Sequence, residues 1–306
     1  MLLLCLFIGG CMRADYSYPE VDVSGGNLRD TVEYLTGIEP ARNYRNIASL
    51  EKAAGFISER FSDYGFSPGR QEFTAGGETY FNITASAGPE GGEVFVVGAH
   101  YDVCGDTPGA DDNASAVAGL LEAARLIKQH EDQLACRVEF VAFTLEEPPF
   151  FSTESMGSYV HAKSLHDAGA DVKGMIALEM IGYFTDAKNS QRFPLGPMKL
   201  FYPDKGNFIA VVSNYKSGSL KSQTAKHMKT AAINVRTLSA PSLLQGVDFS
   251  DHRSYWQFGY DAVMITDTAF YRNPNYHQTS DTIETLSFDK TKEVVRGLFR
   301  ALLNLR

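Results

Sequence analysis

Apolar and polar positions change period repeatedly along this chain, and the changes mark out alternating helices and strands. Between Ser49 and Tyr64 the apolar residues Ala53, Phe56, Ile57 and Phe61 recur at helical spacing, and Gly65 follows as a stop signal. The spacing predicts a helix there. Three short segments come next, Pro68 to Thr74, Thr79 to Ala85 and Glu93 to His100, parted by the turn formers Gly76-Gly77 and Gly88-Pro89; they read as strands. The run Val94-Phe95-Val96-Val97 is apolar on both faces, as in a strand at the middle of a sheet covered by helices.

The alternation continues with a helix from Ser115 to Gln129, striped by Val117, Leu120, Leu121, Ala124 and Ile127, and a strand from Arg137 to Thr144. A helix from Ser155 to His166 and strands from Val172 to Glu179 and Gly206 to Val212 follow. Then come a helix around Leu220 to Ala232, a strand around Asp261 to Thr266, and a closing helix with Val294, Val295, Leu298 and Leu302 on one face. Such alternation predicts a three-layer αβα sandwich around a mostly parallel, mixed central sheet. In open sheets of this kind functional groups gather in the crevice beyond the carboxyl ends of the strands.

Composition sharpens the picture in three places. With 306 residues, 44% of them hydrophobic, the chain can bury the core of one large α/β domain. The net charge of -9 comes with no run of Lys or Arg able to track a phosphate backbone, so nucleic acid is not an expected partner. Residues 1–11 are almost wholly apolar, too short for a membrane span and suited to an export signal. The string Leu6-Phe7-Ile8-Gly9-Gly10-Cys11 resembles a bacterial lipoprotein processing site, although no Lys or Arg precedes the apolar stretch and Gly9 is unusual at its position. We therefore expect a signal over 1–11 with a lipid anchor at Cys11, a tether over 12–29, one catalytic domain over 30–306, and an exported protein, membrane-anchored or periplasmic to extracellular. Cys104 and Cys136 are then the only body cysteines, which excludes a disulfide framework and leaves either one bridge or two separate thiols.

The strand-end rule selects the chemistry. His100, Glu146, Glu147 and Glu179 each fall at or just past the end of an expected apolar strand. Asp112 lies on the loop before the Ser115 helix, and His277 on the irregular segment after the Asp261 strand, so both can reach the same edge. Several carboxylates in one low-dielectric crevice repel one another unless a cation joins them. Two His and three carboxylates suit zinc, and one carboxylate can bridge two ions about 3.5 to 4 Å apart. Asp112 is the bridging candidate, and Asp102 is placed to fix the tautomer of His100. Adjacent residues past a strand end can point apart, which assigns Glu147 to metal and leaves Glu146 as general base and proton shuttle. Singly, such residues are commonplace; their joint occurrence at one edge carries the inference.

At this point the chain resembles a known family, the zinc-dependent exopeptidases with two co-catalytic metals, family twenty-eight of the metallopeptidases, which includes bacterial aminopeptidases and glutaminyl cyclases. The resemblance covers about residues 30 to 305. It is carried by Gly98-Ala99-His100-Tyr101-Asp102, Gly109-Ala110-Asp111-Asp112-Asn113-Ala114-Ser115, Leu145-Glu146-Glu147 with Met156-Gly157-Ser158, Leu178-Glu179-Met180-Ile181-Gly182, and Tyr276-His277-Gln278-Thr279-Ser280-Asp281-Thr282. The resemblance implies one zinc on His100 and Glu179, a second on Glu147 and His277, Asp112 between them, and a cis peptide after Asp112. It also places Tyr276 where some members use a Tyr hydroxyl to steady the oxyanion, though a Tyr there can equally be a packing residue. Glu179 stands where many members have Asp, and the segment Pro148 to Glu154 lengthens the loop after the Glu pair.

The string Ser250-Asp251-His252 is not a serine-hydrolase relay, because three adjacent side chains cannot form the spatial triad. In the resembling family a similar string lies near the substrate cleft. The aromatic residues Phe150, Phe151, Tyr255, Trp256 and Phe258 either line a pocket or belong to the core. The expected activity is hydrolysis of the N-terminal peptide bond of peptides with a free N-terminus. A single-zinc glutaminyl cyclase and a non-catalytic binding module stand as alternatives.

Overall fold

The computed structural model describes residues 18–305. Residues 1–11, where the signal and Cys11 anchor are expected, lie outside the described residues. Seven helices and eight strands appear in it: α1 Gly25–Thr36, α2 Ile47–Asp63, β1 Gly69–Ala75, β2 Glu78–Ala87, β3 Val94–His100, α3 Ala116–Lys128, β4 Arg137–Phe143, α4 Gly157–Asp167, β5 Val172–Glu179, β6 Phe208–Ser213, α5 Gly218–Met228, β7 Asn234–Ser239, α6 His252–Gln257, β8 Ala262–Thr266 and α7 Phe288–Leu302.

All eight strands form one sheet in the order β1-β2-β4-β3-β5-β8-β6-β7. The central four, β4, β3, β5 and β8, run parallel, while β2 and β6 pair antiparallel on either flank. This is the mixed αβα sandwich that the periodicity predicts. Side-chain alternation splits the central strands between two faces. Phe95, Val97 and Ala99 of β3 pack with Ile176 and Leu178 of β5 under α1, α2, α3 and α7, whereas Val94, Val96, Met175 and Ala177 face α4 and α6. Gly98 is required where Phe143 of β4 crosses β3, because a Cβ there would lie 2.1 Å from the ring.

The expected tether extends too far. Helix α1 begins at Gly25, capped by Ser24, whose Oγ accepts from the Asn27 N–H at 3.1 Å, and it buries Leu28, Val32 and Leu35. Two consecutive glycines argue against a helix on propensity alone. Tertiary docking overrides them: buried Glu122 of α3 accepts from the Ser24 N–H at 2.6 Å and from Asn27 Nδ2 at 3.0 Å. Strand β7 and the six-residue α6 are also absent from the sequence pattern. In β7 only Val235 is buried, so no apolar alternation announces it. Cys104 and Cys136 are separate free thiols, not a bridge.

Candidate metal centre

His100, Glu146, Glu147 and Glu179 all converge at the carboxyl edge of the four parallel strands, and Asp112 and His277 turn back over the same edge. His100 ends β3 and is fully buried. Its Nδ1 donates to the backbone carbonyl of Asp102 at 3.2 Å, which leaves Nε2 as the free lone pair. The Asp102 carboxylate stands 3.6 Å from the same nitrogen, so backbone and side chain of Asp102 both favour this tautomer. That carboxylate accepts from the backbone N–H groups of Glu146 and Glu147, both at 3.1 Å, and ties the end of β4 to the end of β3.

Past β4 the chain reaches Leu145, whose φ of 61° is a left-handed conformation uncommon for a branched residue. The kink turns Glu146 and Glu147 off the strand line into the crevice. Met180 with φ 48° and His277 with φ 56° repeat the pattern after Glu179 and at the last histidine. Backbone strain concentrated at one cluster of polar side chains marks a place where geometry is held for function.

Asp112 is fixed from two sides. The carboxylate of Asp281 accepts from the N–H groups of Asp111 and Asp112, each at 3.0 Å. Asn113 donates to the Leu178 carbonyl at 3.0 Å and accepts from the Met180 N–H at 2.8 Å, fastening the loop to the end of β5. The Asp112-Asn113 peptide is cis. Upstream, Gly109 adopts φ +63°, and a Cβ there would fall 2.4 Å from the Asp112 carbonyl oxygen.

The resulting distances form a two-sided arrangement. His100 Nε2 lies 3.4 Å from Asp112 Oδ1 and 3.4 Å from Glu179 Oε2. His277 Nε2 lies 3.2 Å from Asp112 Oδ2 and 3.2 Å from Glu147 Oε2. The two oxygens of Asp112 therefore face different histidines. Glu146 Oε2 stands further back, 3.8 Å from His100 Nε2. His277 is the more open of the two histidines, with 26% of its side chain exposed.

The electrostatics show a site in conflict with itself. Burial pushes Glu147 up to about 7, aided by Asp112, and raises Glu146 and Glu179 as well. Burial likewise opposes charge on Asp112, yet His100 and His277 hold its carboxyl well below the usual range. For His100 burial pulls downward, but Glu146, Glu179 and the hydrogen-bonding aspartates outweigh it. Burial also opposes charge on His277, whose bonds to Asp112, Cys104 and Glu147 raise it. Among the described residues His100 Nε2, Asp112 Oδ1 and Glu147 Oε1 are buried with no hydrogen-bond partner. Stranded buried acceptors are costly. Nitrogen and oxygen donors left unpaired in this way fit a divalent cation such as zinc.

Two further residues support the centre, Ser250 from the Ser250-Asp251-His252 string and Arg42, which no motif in the chain marks. Ser250 Oγ donates to Glu179 Oε2 at 2.8 Å, orienting that carboxylate from the string that resembles a hydrolase relay. Buried Arg42 donates to the carbonyls of Tyr101, Leu35, Pro108 and Gly109, clamping the loop that joins His100 to Asp112. Tyr276 stacks on His277 with ring centroids 3.8 Å apart, and burial keeps its phenol protonated by raising it far above its ordinary value.

Beside Glu179 a largely apolar cleft opens, lined by Phe193, Met198, Tyr202, Phe249, Phe270 and Tyr276 among others. None of the five aromatics singled out as pocket candidates lines it. Tyr255 is core, Phe150 packs against the main core, Trp256 and Phe258 cover the α4–α6 face, and Phe151 meets Phe249 from outside the cleft.

Residues 82–302 match the model of peptidase family M28, and the chain belongs to that family. It is 43% identical over 286 residues to the uncharacterized protein YfbL of Escherichia coli K12, covering 90% of this chain and 87% of that one. It is 25% identical over 285 residues to leucine aminopeptidase 1 of Uncinocarpus reesii, covering 88% of this chain and 66% of that protein. The LapA aminopeptidase of Legionella pneumophila shares the fold with a TM-score of 0.72 at 19% identity, over 92% of this chain and 72% of that one. Glutaminyl cyclases are among other solved structures with this fold. The family is typically zinc-dependent and its aminopeptidase members support a hydrolase.

Proposed function

We propose that this M28 peptidase is an aminopeptidase that holds two zinc ions, one on His100 and Glu179, the other on Glu147 and His277, with Asp112 shared between them. The observation that carries the proposal is the split of Asp112, one oxygen toward each histidine at 3.4 and 3.2 Å. Zinc, when bound, supplies Lewis-acid polarisation of the scissile carbonyl and acidifies water. The chain's own residues do the rest. Glu146, whose carboxylate stands at the back of the centre 3.8 Å from His100 Nε2, takes a proton from the attacking water and delivers it to the leaving amine. Tyr276, a neutral phenol beside His277, donates to the oxyanion. The cleft beside Glu179 receives the side chain of the N-terminal residue, and its lining favours large apolar ones. The apolar segment 1–11 directs export, with Cys11 as the lipidated terminus.

The test is zinc content together with hydrolysis of aminoacyl-anilides before and after chelation. Bound zinc with hydrolysis lost on chelation and restored by zinc, fastest on large apolar residues, is the expected result. One zinc with cyclisation of an N-terminal Gln would overturn it in favour of a cyclase, and folded protein without metal or activity would overturn it in favour of a binding module.

A further inference from the structure

Cys104 lies outside the residues assigned above, on the loop between β3 and Asp112. The loop is built firmly around it. Besides the Arg42 clamp, the Val103 N–H donates to the Arg42 carbonyl at 3.2 Å and Asn43 Nδ2 donates to the Gly105 carbonyl at 2.6 Å. The Cys104 carbonyl itself accepts from Thr107 Oγ1 at 2.9 Å. Its thiol thus has a defined place, and that place is at the centre: one ligand atom each from Cys104, Glu147 and His277 lie within 4.8 Å of one another. Glu147 is 4% exposed, and its Oε1 has no hydrogen-bond partner among the described residues.

Zinc bonds sulfur at about 2.3 Å and nitrogen or oxygen at about 2.0 to 2.2 Å, so in tetrahedral coordination two ligand atoms lie about 3.3 to 3.6 Å apart. Atoms that all lie within 4.8 Å of one another reach that spacing when the side chains close by about 1 Å in total. We propose that Cys104 is a further ligand, as thiolate, of the ion held by Glu147 and His277. The inference rests on the metal-centre proposal. On binding, the S–H bond breaks, the proton leaves to solvent and the sulfur lone pair bonds the metal. The two sites then differ in kind. The His277 site, with a soft sulfur donor, selects zinc or cobalt over magnesium, calcium or manganese, while the His100 site keeps nitrogen and oxygen donors alone.

Cobalt(II) titration of the metal-stripped full chain reads this directly, because thiolate-to-cobalt charge transfer absorbs in the near ultraviolet independently of activity. The wild type is expected to develop that band as cobalt fills the His277 site. Cys104→Ser should lack the band and bind that ion about tenfold or more weakly, while Cys136→Ser keeps the band. Cobalt binding in the wild type without a charge-transfer band, or a band that survives Cys104→Ser, overturns the ligand assignment and leaves the metal centre standing. No cobalt binding at all overturns both.

Discussion

Replacing Arg42 by Met keeps an unbranched apolar stem and removes the guanidinium with its charge and donors, so it tests the clamp on the loop from His100 to Asp112. In the structure the guanidinium reaches the carbonyls of Tyr101 at 2.9 Å, Leu35 at 3.0 Å, Pro108 at 2.6 Å and Gly109 at 2.7 Å. Hydrogen bonds to a charged donor contribute about 1.5 to 3 kcal/mol each, so four give about 6 kcal/mol at the low end. Desolvation offsets part of this. Burial pulls the guanidinium down from 12.5 to about 10. At about 1.4 kcal/mol per unit that is a cost of about 3 kcal/mol, leaving a net contribution of about 3 kcal/mol. Arg42→Met should lower the unfolding free energy by that amount in urea titration with an unchanged slope. Zinc should also be lost at lower chelator concentration, because three of the carbonyls left unpaired, those of Tyr101, Pro108 and Gly109, lie on the segment that carries Asp112. Arg42→Lys, with a point charge in place of a fork, should recover only part of the loss. A change within the about 0.5 kcal/mol of an ordinary surface substitution, with zinc retention unaltered, would refute the clamp.

Three further outcomes follow from the site and its surroundings. Glu146→Gln should cost about a hundredfold or more in turnover while zinc content stays at the wild-type level, and near-normal turnover would remove Glu146 from the proton transfer. Tyr276→Phe should lower kcat by about a hundredfold with little change in KM, since the phenol is assigned to the oxyanion and not to substrate binding; an effect confined to KM would reassign it to the cleft wall. Buried His252 is pulled from 6.5 down to about 4 by burial, and its ring bonds the Val247 carbonyl at 2.8 Å. Between those values the unfolded chain binds the extra proton, so this contribution is full above pH 6.5 and is lost as pH falls toward 4, by up to about 3 kcal/mol. The stability gap between the wild type and His252→Gln should narrow from pH 7 to pH 5, and parallel curves would contradict the assignment.

Most of the sheet is written in local pattern because its central strands are short apolar runs covered on both faces, and because each chemical residue stands directly past such a run. Four of the six central residues could be placed on one edge from that rule alone. What escaped notice depends on partners far along the chain. Helix α1 begins on two glycines and is held by Glu122, 98 residues beyond the Ser24 N–H that it accepts from. Arg42 acts on carbonyls up to 67 residues away, and Asp281 pins a loop 169 to 170 residues upstream. None of these leaves a periodic trace. The cleft was missed for a related reason: most of its aromatic wall comes from irregular segments around residues 191–202, 245–249 and 268–276, where no repeat groups the aromatic side chains on one face. Asp102 shows a subtler limit: its nearness to His100 in sequence suggested the contact with the ring, 3.6 Å from Nδ1, but not the reach of the same carboxylate across to the neighbouring strand end.

The most direct measurement is a crystal of the zinc-loaded protein, with anomalous diffraction collected on either side of the zinc edge. Two peaks about 3.5 to 4 Å apart, one beside His100 and Glu179 and one beside Glu147 and His277, with Asp112 between them, are expected. A single peak, or two peaks that do not share Asp112, would contradict the two-zinc centre.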